Sequence, residues 1–106
     1  MRVYIAGPIT GKLFYQDKFQ KAAELLKNLG HTPVNPVEIC KRVKDGTHEQ
    51  YMNMCLPHLL NADAIVMLGG WENSEGAKLE YQVAMATGKK LLEVYPTERS
   101  WYGRKV

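Results

Sequence analysis

Two short apolar runs constrain the fold of this chain more strongly than any other feature. Residues 2–6 and 64–68 show no polar alternation, which is typical of strands buried on both faces of a parallel sheet. Each run leads into a glycine-bearing loop and then into a helical pattern. Residues 31–34 and 90–94 predict two further strands. Strands that alternate with helices predict a parallel sheet with right-handed crossovers and helices on both faces.

Helical patterns cover residues 16–28, 37–44, 47–60 and 74–87. In the first of these, one face carries the apolar residues Phe19, Ala22, Ala23, Leu26 and Leu29. Pro57 interrupts the third pattern, and because proline lacks an amide proton, we expect a kink or an early end there. The predicted fold class is α/β: a three-layer, open, mainly parallel sheet of four to five strands, Rossmann-like or flavodoxin-like.

The length of 106 residues predicts one domain. We place that domain at residues 1–94 and a C-terminal tail at 95–106. The tail is aromatic but has no clear period, so we expect an edge strand or a dimer contact there. With 45% hydrophobic and 24% charged residues the composition excludes disordered and collagen-like chains.

The charge and cysteine content narrow the class of partner. A net charge of +3 fits small anionic ligands, and no polynucleotide partner is expected from such short basic runs. No stretch of about 18 apolar residues predicts a membrane span, and no signal peptide opens the sequence. Cys40 and Cys55 show neither metal-ligand spacing nor a small disulfide framework, which favours a cytoplasmic protein.

The loop of residues 69–76 is a candidate anion site. It joins a predicted strand to the start of a helix, where the first amides lack intrahelical partners and the helix dipole places partial positive charge. Ser74 is the expected N-cap of this helix. Gly76 would let a ligand approach the backbone closely.

Glu80 is predicted to lie on the inward-facing side of this helix, where a carboxylate is unusual. At helical spacing it shares a stripe with small and mostly apolar positions, namely Gly76, Ala77, Val83, Ala84 and Thr87. Its side chain should lean back over Gly76 towards the mouth of the loop. The pattern fits a nucleophile or base, and it fits equally a structural carboxylate that is bonded to amides or paired with a cation.

The position of each remaining candidate residue relative to the strand ends indicates whether it can contact a ligand. In open parallel sheets, ligands bind beyond the carboxyl ends of the strands. Residues 7–11, 35–36 and 69–76 all leave strands at that edge, and the helix start near His48 and Tyr51 should return there. Asp63 begins its strand instead, roughly 15–20 Å away at about 3.3 Å per residue, so we interpret it as structural.

Several of these segments resemble one known family. They are VYIAGPITG at residues 3–11, ADAIVML at 62–68, SEGAKLE at 74–80 and GKK at 88–90, with Ala84 between the last two. In order and spacing they resemble the nucleoside 2-deoxyribosyltransferase-like superfamily, which includes the deoxynucleoside monophosphate N-glycosidases. Residues 70–77 are most similar to a small branch of that superfamily. The resemblance covers residues 1 to about 94.

This resemblance implies a catalytic pair. In the superfamily, the glutamate matching Glu80 attacks the anomeric carbon of a deoxynucleoside and forms a glycosyl-enzyme ester, which water or another base then resolves. The tyrosine matching Tyr4 orients that carboxylate. Without the resemblance, Tyr4 would be a buried aromatic residue whose hydroxyl needs a partner.

The resemblance also implies substrate-binding residues. Ser74 and Gly76 match a pair that holds phosphate in the monophosphate hydrolases, in agreement with the helix N-terminus. Trp71 would stack on the base, or else serve as a packing or dimer residue. The sugar and base side would be lined by three residues of the first loop, Gly7, Ile9 and Thr10.

One position departs from the family pattern. The transferases carry an aspartate that assists protonation of the leaving base, and its position corresponds to Cys55. Thiols are poor general acids for a ring nitrogen. Either the substrate has a good leaving group, or the chain binds nucleotides without cleaving them, or another residue supplies the proton. Candidates for that residue are Glu72, Glu38, His48 and, least favoured because it lies at the far end of its helix, His58.

These observations predict an enzyme that cleaves the N-glycosidic bond of a nucleoside or nucleoside 5′-monophosphate by hydrolysis or transfer. The alternative is a non-catalytic module that binds a nucleotide or nucleotide sugar. No cofactor is expected, and no metal site either, because the three histidines lack paired spacing. We expect a homodimer or higher homo-oligomer, since small superfamily members complete their sites across a dimer.

Overall fold

The computed structural model describes residues 1–9, 15–39, 48–96 and 101–105, with side chains for 1–9, 15–39 and 49–92. The elements of these parts follow one another in the order β1 Arg2–Ala6, α1 Tyr15–Asn28, β2 Thr32–Val34, α2 Pro36–Ile39, α3 His48–Leu60, β3 Ala64–Met67, the 3-10 turn Trp71–Asn73, α4 Glu75–Ala86, β4 Lys90–Pro96 and β5 Trp101–Lys105.

The strands form one sheet in the order β2-β1-β3-β4-β5. Strands β1 to β4 are parallel, with Val3 opposite Ala64 and Ala64 opposite Lys90, whereas β5 pairs antiparallel to β4. From β1 the chain crosses to β2, and from β3 it crosses in the opposite direction to β4. The loops after β1 and β3 therefore leave neighbouring strands at the switch point of the topology, where such sheets bind ligands. The predicted fold class is confirmed.

Side chains that alternate along β1 divide the core between the two faces of the sheet. Val3 and Ile5 point to one face, and Tyr4 and Ala6 point to the other. The face covered by α1, here called the α1 face, buries Val3, Ile5, Phe19, Ala22, Ala23, Leu26, Ala64, Val66, Leu68 and Leu92. The opposite face, here called the α3/α4 face, buries Tyr4, Ala6, Val34, Cys55, Leu59, Ala62, Ile65 and Ala84.

Two local expectations are wrong. Leu29, predicted to face the core, follows the end of α1 and is 49% exposed. No disulfide framework is apparent in the sequence, yet Cys55 is disulfide-bonded and fully buried.

Pro57 does not bring an early end to α3, which continues to Leu60 as the helical pattern predicts. The proline removes only the bond from its own nitrogen, and the amide of Asn61 still donates to the Pro57 carbonyl at 3.2 Å.

Other predicted boundaries fall partly outside the described residues. Helix α2 covers Pro36–Ile39, and residues 40–44 of the second predicted helix and residue 47 of the third lie outside the described residues. Strand β4 runs to Pro96, beyond the predicted domain limit at 94, and an edge strand, β5, forms within the tail. In the described segments, no helix combines the length and apolarity needed to span a bilayer.

Candidate active site

A hydrogen bond between two buried side chains lies at the centre of the candidate site. Tyr4 on β1 is fully buried, and its hydroxyl donates to Oε2 of Glu80 on α4. Glu80 is only 4% exposed. It faces the sheet, as its position on the stripe of small residues predicts. The pair joins β1, an inner strand of the sheet, to the helix that follows the neighbouring strand β3.

Burial sets the ionisation of this pair. Burial raises the pKa of Glu80 from 4.5 to about 7, although the hydrogen bond from Tyr4 acts in the opposite direction. Burial and then the Glu80 charge raise the pKa of Tyr4 far above its ordinary value. Tyr4 therefore keeps its proton and remains a donor, while Glu80 takes up or releases its proton near neutral pH.

The two carboxylate oxygens of Glu80 differ in their hydrogen bonding. Within the described parts of the chain, Oε1 accepts no hydrogen bond, whereas Oε2 accepts one from Tyr4. One oxygen of Glu80 is thus held in place by Tyr4, and the other has no hydrogen-bond partner among the described residues.

The loop between β3 and α4 borders this carboxylate. Gly70 adopts φ 87°, a left-handed conformation that favours glycine. The Oγ of Ser74 accepts from the amide of Ala77 at 3.2 Å, which confirms Ser74 as the N-cap of α4. Gly76 is half-buried in the first turn of α4. The rings of Trp71 and Tyr81 stack with centroids 4.9 Å apart, so Trp71 packs against α4 on at least one face.

The loop after β1 is packed tightly against the loop after β3. A Cβ atom at Gly7 would lie 2.8 Å from Leu68 Cβ, so only glycine fits there. A Cβ at Gly70 would lie 3.5 Å from Pro8 Cγ, which shows how closely the two loops approach. Ile9 is partly buried and packs against the α1-face cluster. Of the predicted lining residues, Thr10 lies outside the described residues.

Tyr51 is a residue of the site to which the sequence assigned no chemistry. It is half-buried on α3 and packs against the α3/α4-face cluster that contains Tyr4. It also lies close enough to Glu80 and Tyr4 for electrostatic interaction with both. The sequence predicted only that the helix start near Tyr51 returns to the ligand-binding edge. Its proximity to Glu80 depends on how α3 packs beside α4, and no local pattern encodes that packing.

The structure also places the acids and histidines considered as proton donors. Glu72 and Glu38 are exposed, and His58 is half-buried near the end of α3, towards the amino edge of the sheet. The side chain of His48 is outside the described set. Asp63 Oδ2 accepts from the amide of Arg2 at 2.9 Å, which confirms its structural role at the start of β3.

Comparison with protein-family models shows the family to which the chain belongs. A family model described as a domain of unknown function, DUF4406, matches residues 1–93. The chain belongs to the DUF4406 family. Comparison with curated proteins gives no match.

Among solved structures, this DUF4406 chain is similar to a 2-deoxyribosyltransferase from the psychrotolerant bacterium Bacillus psychrosaccharolyticus. The two share 25% sequence identity and superpose with a TM-score of 0.68, over 86% of this chain and 69% of the other. The resemblance to the nucleoside 2-deoxyribosyltransferase-like superfamily is thereby confirmed.

The described part of the DUF4406 domain contains no cluster of side chains suited to bind a metal ion. No group of three or more histidine, cysteine, aspartate or glutamate side chains is arranged there to hold an ion. Among the described residues, the chemistry available at the switch point includes the buried carboxylate of Glu80, the hydroxyls of Tyr4 and Tyr51, and the amides at the start of α4.

Proposed function

We propose that this DUF4406 protein cleaves the N-glycosidic bond of a nucleoside or nucleoside 5′-monophosphate, as an N-glycosidase or deoxyribosyltransferase, with Glu80 as nucleophile. The observation that most supports this proposal is the buried Tyr4–Glu80 pair at the switch point of the sheet. A carboxylate that is 4% exposed, with no described cation paired to it, is costly for stability. A catalytic use explains why such a group is buried there.

The first half of the reaction consumes the ionised form of Glu80. Oε1 forms a bond to the anomeric carbon, and the bond from that carbon to the base nitrogen breaks with its electron pair going to the nitrogen. The base leaves after taking up a proton. Tyr4 holds Oε2, so that Oε1 is presented to the sugar in a fixed orientation.

The second half restores the carboxylate. Water, or the nitrogen of a second base, attacks the anomeric carbon and breaks its bond to Oε1. With water the products are the free sugar and the free base, and the proton released by water balances the proton taken up by the departing base. With a second base the product is a new nucleoside. Hydrolysis and transfer therefore share every residue proposed here.

A 5′-phosphate would bind at the N-terminus of α4. Because Ser74 Oγ accepts from the Ala77 amide, its own hydroxyl proton is available to a phosphate oxygen. The amide of Gly76 lies in the first turn, where intrahelical partners are lacking and the helix dipole favours an anion. Trp71 would form a wall of the base pocket, with its position set by stacking on Tyr81.

Chromatography of free base released from ribo- and deoxynucleosides and their 5′-monophosphates tests this function. Glu80→Gln preserves the shape of the side chain but cannot form the glycosyl ester, so we expect release by the natural protein and none by the variant. Glu24→Gln, an exposed carboxylate on α1, is the matched control and should behave as the natural protein. Equal release by Glu80→Gln would exclude Glu80 as the nucleophile.

A second candidate function is a nucleotide or nucleotide-sugar sensor without turnover. It is favoured by Cys55, which is disulfide-bonded and so has no proton to give at the position where the transferases carry an acid. This candidate predicts thermal stabilisation by one nucleotide, worth roughly 2.7 kcal/mol at 100 times the dissociation constant, and no free base. Release of base from the same nucleotide would rule it out.

We also propose that the protein forms a homodimer or higher homo-oligomer. The outer surfaces of α3 and α4 expose the large apolar side chains Met54, Leu60, Leu79 and Met85. Exposed apolar side chains become buried when they lie at a protein interface, and these four are our candidates for such contacts. Sedimentation at micromolar concentration should give a mass of 24 kDa or more, about twice the 12.0 kDa chain. A single species at the monomer mass would contradict the proposal.

A further inference from the structure

A proton donor for the departing base is required by the chemistry proposed above. When the glycosidic bond breaks, an unmodified base leaves as an anion unless a proton reaches its nitrogen. Positioned acids contribute about 10²–10⁴-fold to such steps. Tyr4 cannot take this role, because its hydroxyl proton is already bonded to Glu80 Oε2. The donor must be another group near Glu80 that faces the substrate.

The position of Tyr51 along α3 meets the first requirement, proximity to the ligand-binding edge. Helix α3 leads into the start of β3, so it runs from the carboxyl edge of the sheet towards the amino edge. Tyr51 and Cys55 are four residues apart and share a helix face. At 1.5 Å per residue, Tyr51 lies about 6 Å nearer the carboxyl edge than Cys55. It therefore stands where the loops after β1 and β3 emerge.

The surroundings of the Tyr51 hydroxyl meet the second requirement, availability. Helices α3 and α4 pack against each other, and Tyr51 interacts electrostatically with Glu80 without hydrogen-bonding to it. Tyr51 makes no hydrogen bond to any described residue, and its side chain is half-buried rather than fully buried. The two catalytic groups of retaining glycosidases are about 5–5.5 Å apart, with the reacting carbon between them. A group that is close to the nucleophile but not bonded to it suits this arrangement.

We propose that the Tyr51 hydroxyl is the catalytic acid that donates a proton to the base nitrogen as the glycosidic bond breaks. This inference rests on the proposed function. As Oε1 bonds to the anomeric carbon, the electron pair of the broken bond goes to the base nitrogen, which takes the Tyr51 proton and leaves a phenolate. Water that later attacks the anomeric carbon returns its proton to this phenolate. The side chains then regain their starting states.

The charge of Glu80 couples the two steps. Burial and the Glu80 carboxylate both raise the pKa of Tyr51 above its ordinary value, so the hydroxyl is protonated when substrate binds. Formation of the glycosyl ester neutralises Glu80, so its negative charge no longer raises the pKa of Tyr51. Tyr51 becomes a stronger acid at the moment when the base needs its proton.

Tyr51→Phe tests the inference with two substrates that share a sugar. One has an unmodified base, and the other has a base activated by N7 methylation (purine) or a 5-nitro group (pyrimidine), according to the class of base that the natural protein releases. We expect kcat to fall about 100-fold for the unmodified base and less than about threefold for the activated one. His58→Gln, two turns further along α3, should leave both rates within about twofold of the natural protein.

Melting temperatures of the two variants would show that both are folded. Equal losses of kcat on both substrates, or no loss on either, would overturn the role of Tyr51 while leaving Glu80 as nucleophile intact. A selective loss in His58→Gln would assign the proton to His58 instead. If the natural protein releases no base from any substrate, the proposed function itself fails, and that result is distinct from a failure of Tyr51 alone.

Discussion

The α1 face and the α3/α4 face cover the same sheet but bury different chemistry. On the α1 face the buried cluster is entirely apolar, and its outer helix α1 is lined with charged and amide side chains. On the α3/α4 face the buried cluster includes Tyr4, with Glu80 beside it and Tyr51 packed at its border. The outward surfaces of α3 and α4 also expose large apolar side chains. The α1 face therefore has an apolar interior and a polar exterior, as globular domains usually do. The α3/α4 face differs in both respects, because it buries polar groups and exposes apolar ones.

We interpret this difference as a separation between residues that stabilise the fold and residues with the proposed catalytic role. Apolar burial on the α1 face stabilises the protein by roughly 25 cal/mol per Å². Burial of Glu80 acts in the opposite direction, as its pKa of about 7 indicates. Changes on the α1 face should therefore affect stability, whereas changes at Tyr4 and Glu80 should affect turnover more than stability. The predictions below test that separation in order of expected size.

Glu80→Gln should have the largest effect on function and little effect on folding. We expect loss of base release by at least about 10³-fold, because a carboxamide cannot form the glycosyl ester. At pH 6 its free energy of unfolding should remain close to that of the natural protein, as measured by urea titration. A strongly destabilised Glu80→Gln would indicate a structural carboxylate and remove the contrast between the two faces.

Leu26→Ala should lower the stability of the protein and leave its turnover nearly unchanged. Leu26 is 1% exposed within the α1-face cluster, and large-to-alanine changes at such sites cost about 2–5 kcal/mol. Urea titration should give this loss, while kcat per folded molecule stays within about twofold of the natural value. A large fall in kcat of the folded fraction would mean that the two faces are coupled.

The pH dependence of stability should reveal the buried carboxylate. The pKa of Glu80 is raised from 4.5 to about 7 in the folded protein, so between these values the folded state binds the proton more tightly than the unfolded chain. The contribution of Glu80 is therefore fully present below pH 4.5 and is lost as pH rises through 7, on the order of 3 kcal/mol in total. The difference in unfolding free energy between Glu80→Gln and the natural protein should change by this amount over the same window. A constant difference would contradict the raised pKa.

Tyr4→Phe should slow turnover and shift its pH profile. Removal of one hydrogen bond to a charged group corresponds to about a 10- to 100-fold loss in kcat/KM. The same bond lowers the pKa of Glu80, so its loss should move that pKa upwards and shift the acid limb of kcat/KM above pH 7. Rates measured from pH 5 to 9 give both quantities. An unchanged acid limb would show that Glu80 does not need Tyr4.

Ser74→Ala should have the smallest effect. Loss of its bond to the Ala77 amide should cost about 1 kcal/mol of stability. If Ser74 also holds phosphate, KM should rise several-fold for a 5′-monophosphate and remain unchanged for the matching nucleoside. An equal change in KM for the two substrates would leave Ser74 as a helix cap alone.

The sequence predicts the strands and helices of this fold well because their signals are local. Continuous apolar runs mark β1 and β3, and the small-residue stripe on α4 identifies Glu80 as inward-facing. Leu29 was predicted to continue the apolar face of α1, but the helix ends at Asn28 and Leu29 is exposed. Local patterns are therefore reliable for element type and less reliable for where an element ends.

The site is less predictable than the fold because its contacts join distant segments. Tyr4 and Glu80 are 76 residues apart, and only the resemblance to a family suggested that they meet. The close approach of Gly7 to Leu68 and the proximity of Tyr51 to Glu80 depend on the register of β1 and β3 and on the packing of α3 beside α4. Neither contact leaves a periodic signal in the sequence.

Mass spectrometry of a trapped intermediate tests the role of Glu80 most directly. A nucleoside with fluorine at C2′ should slow breakdown of the glycosyl ester, because fluorine disfavours the oxocarbenium-like transition state. We predict one added fluorosugar per chain, located by peptide mapping on Glu80 and absent from Glu80→Gln. An adduct on a different residue, or free base released without any adduct and unchanged in Glu80→Gln, would contradict a Glu80 nucleophile.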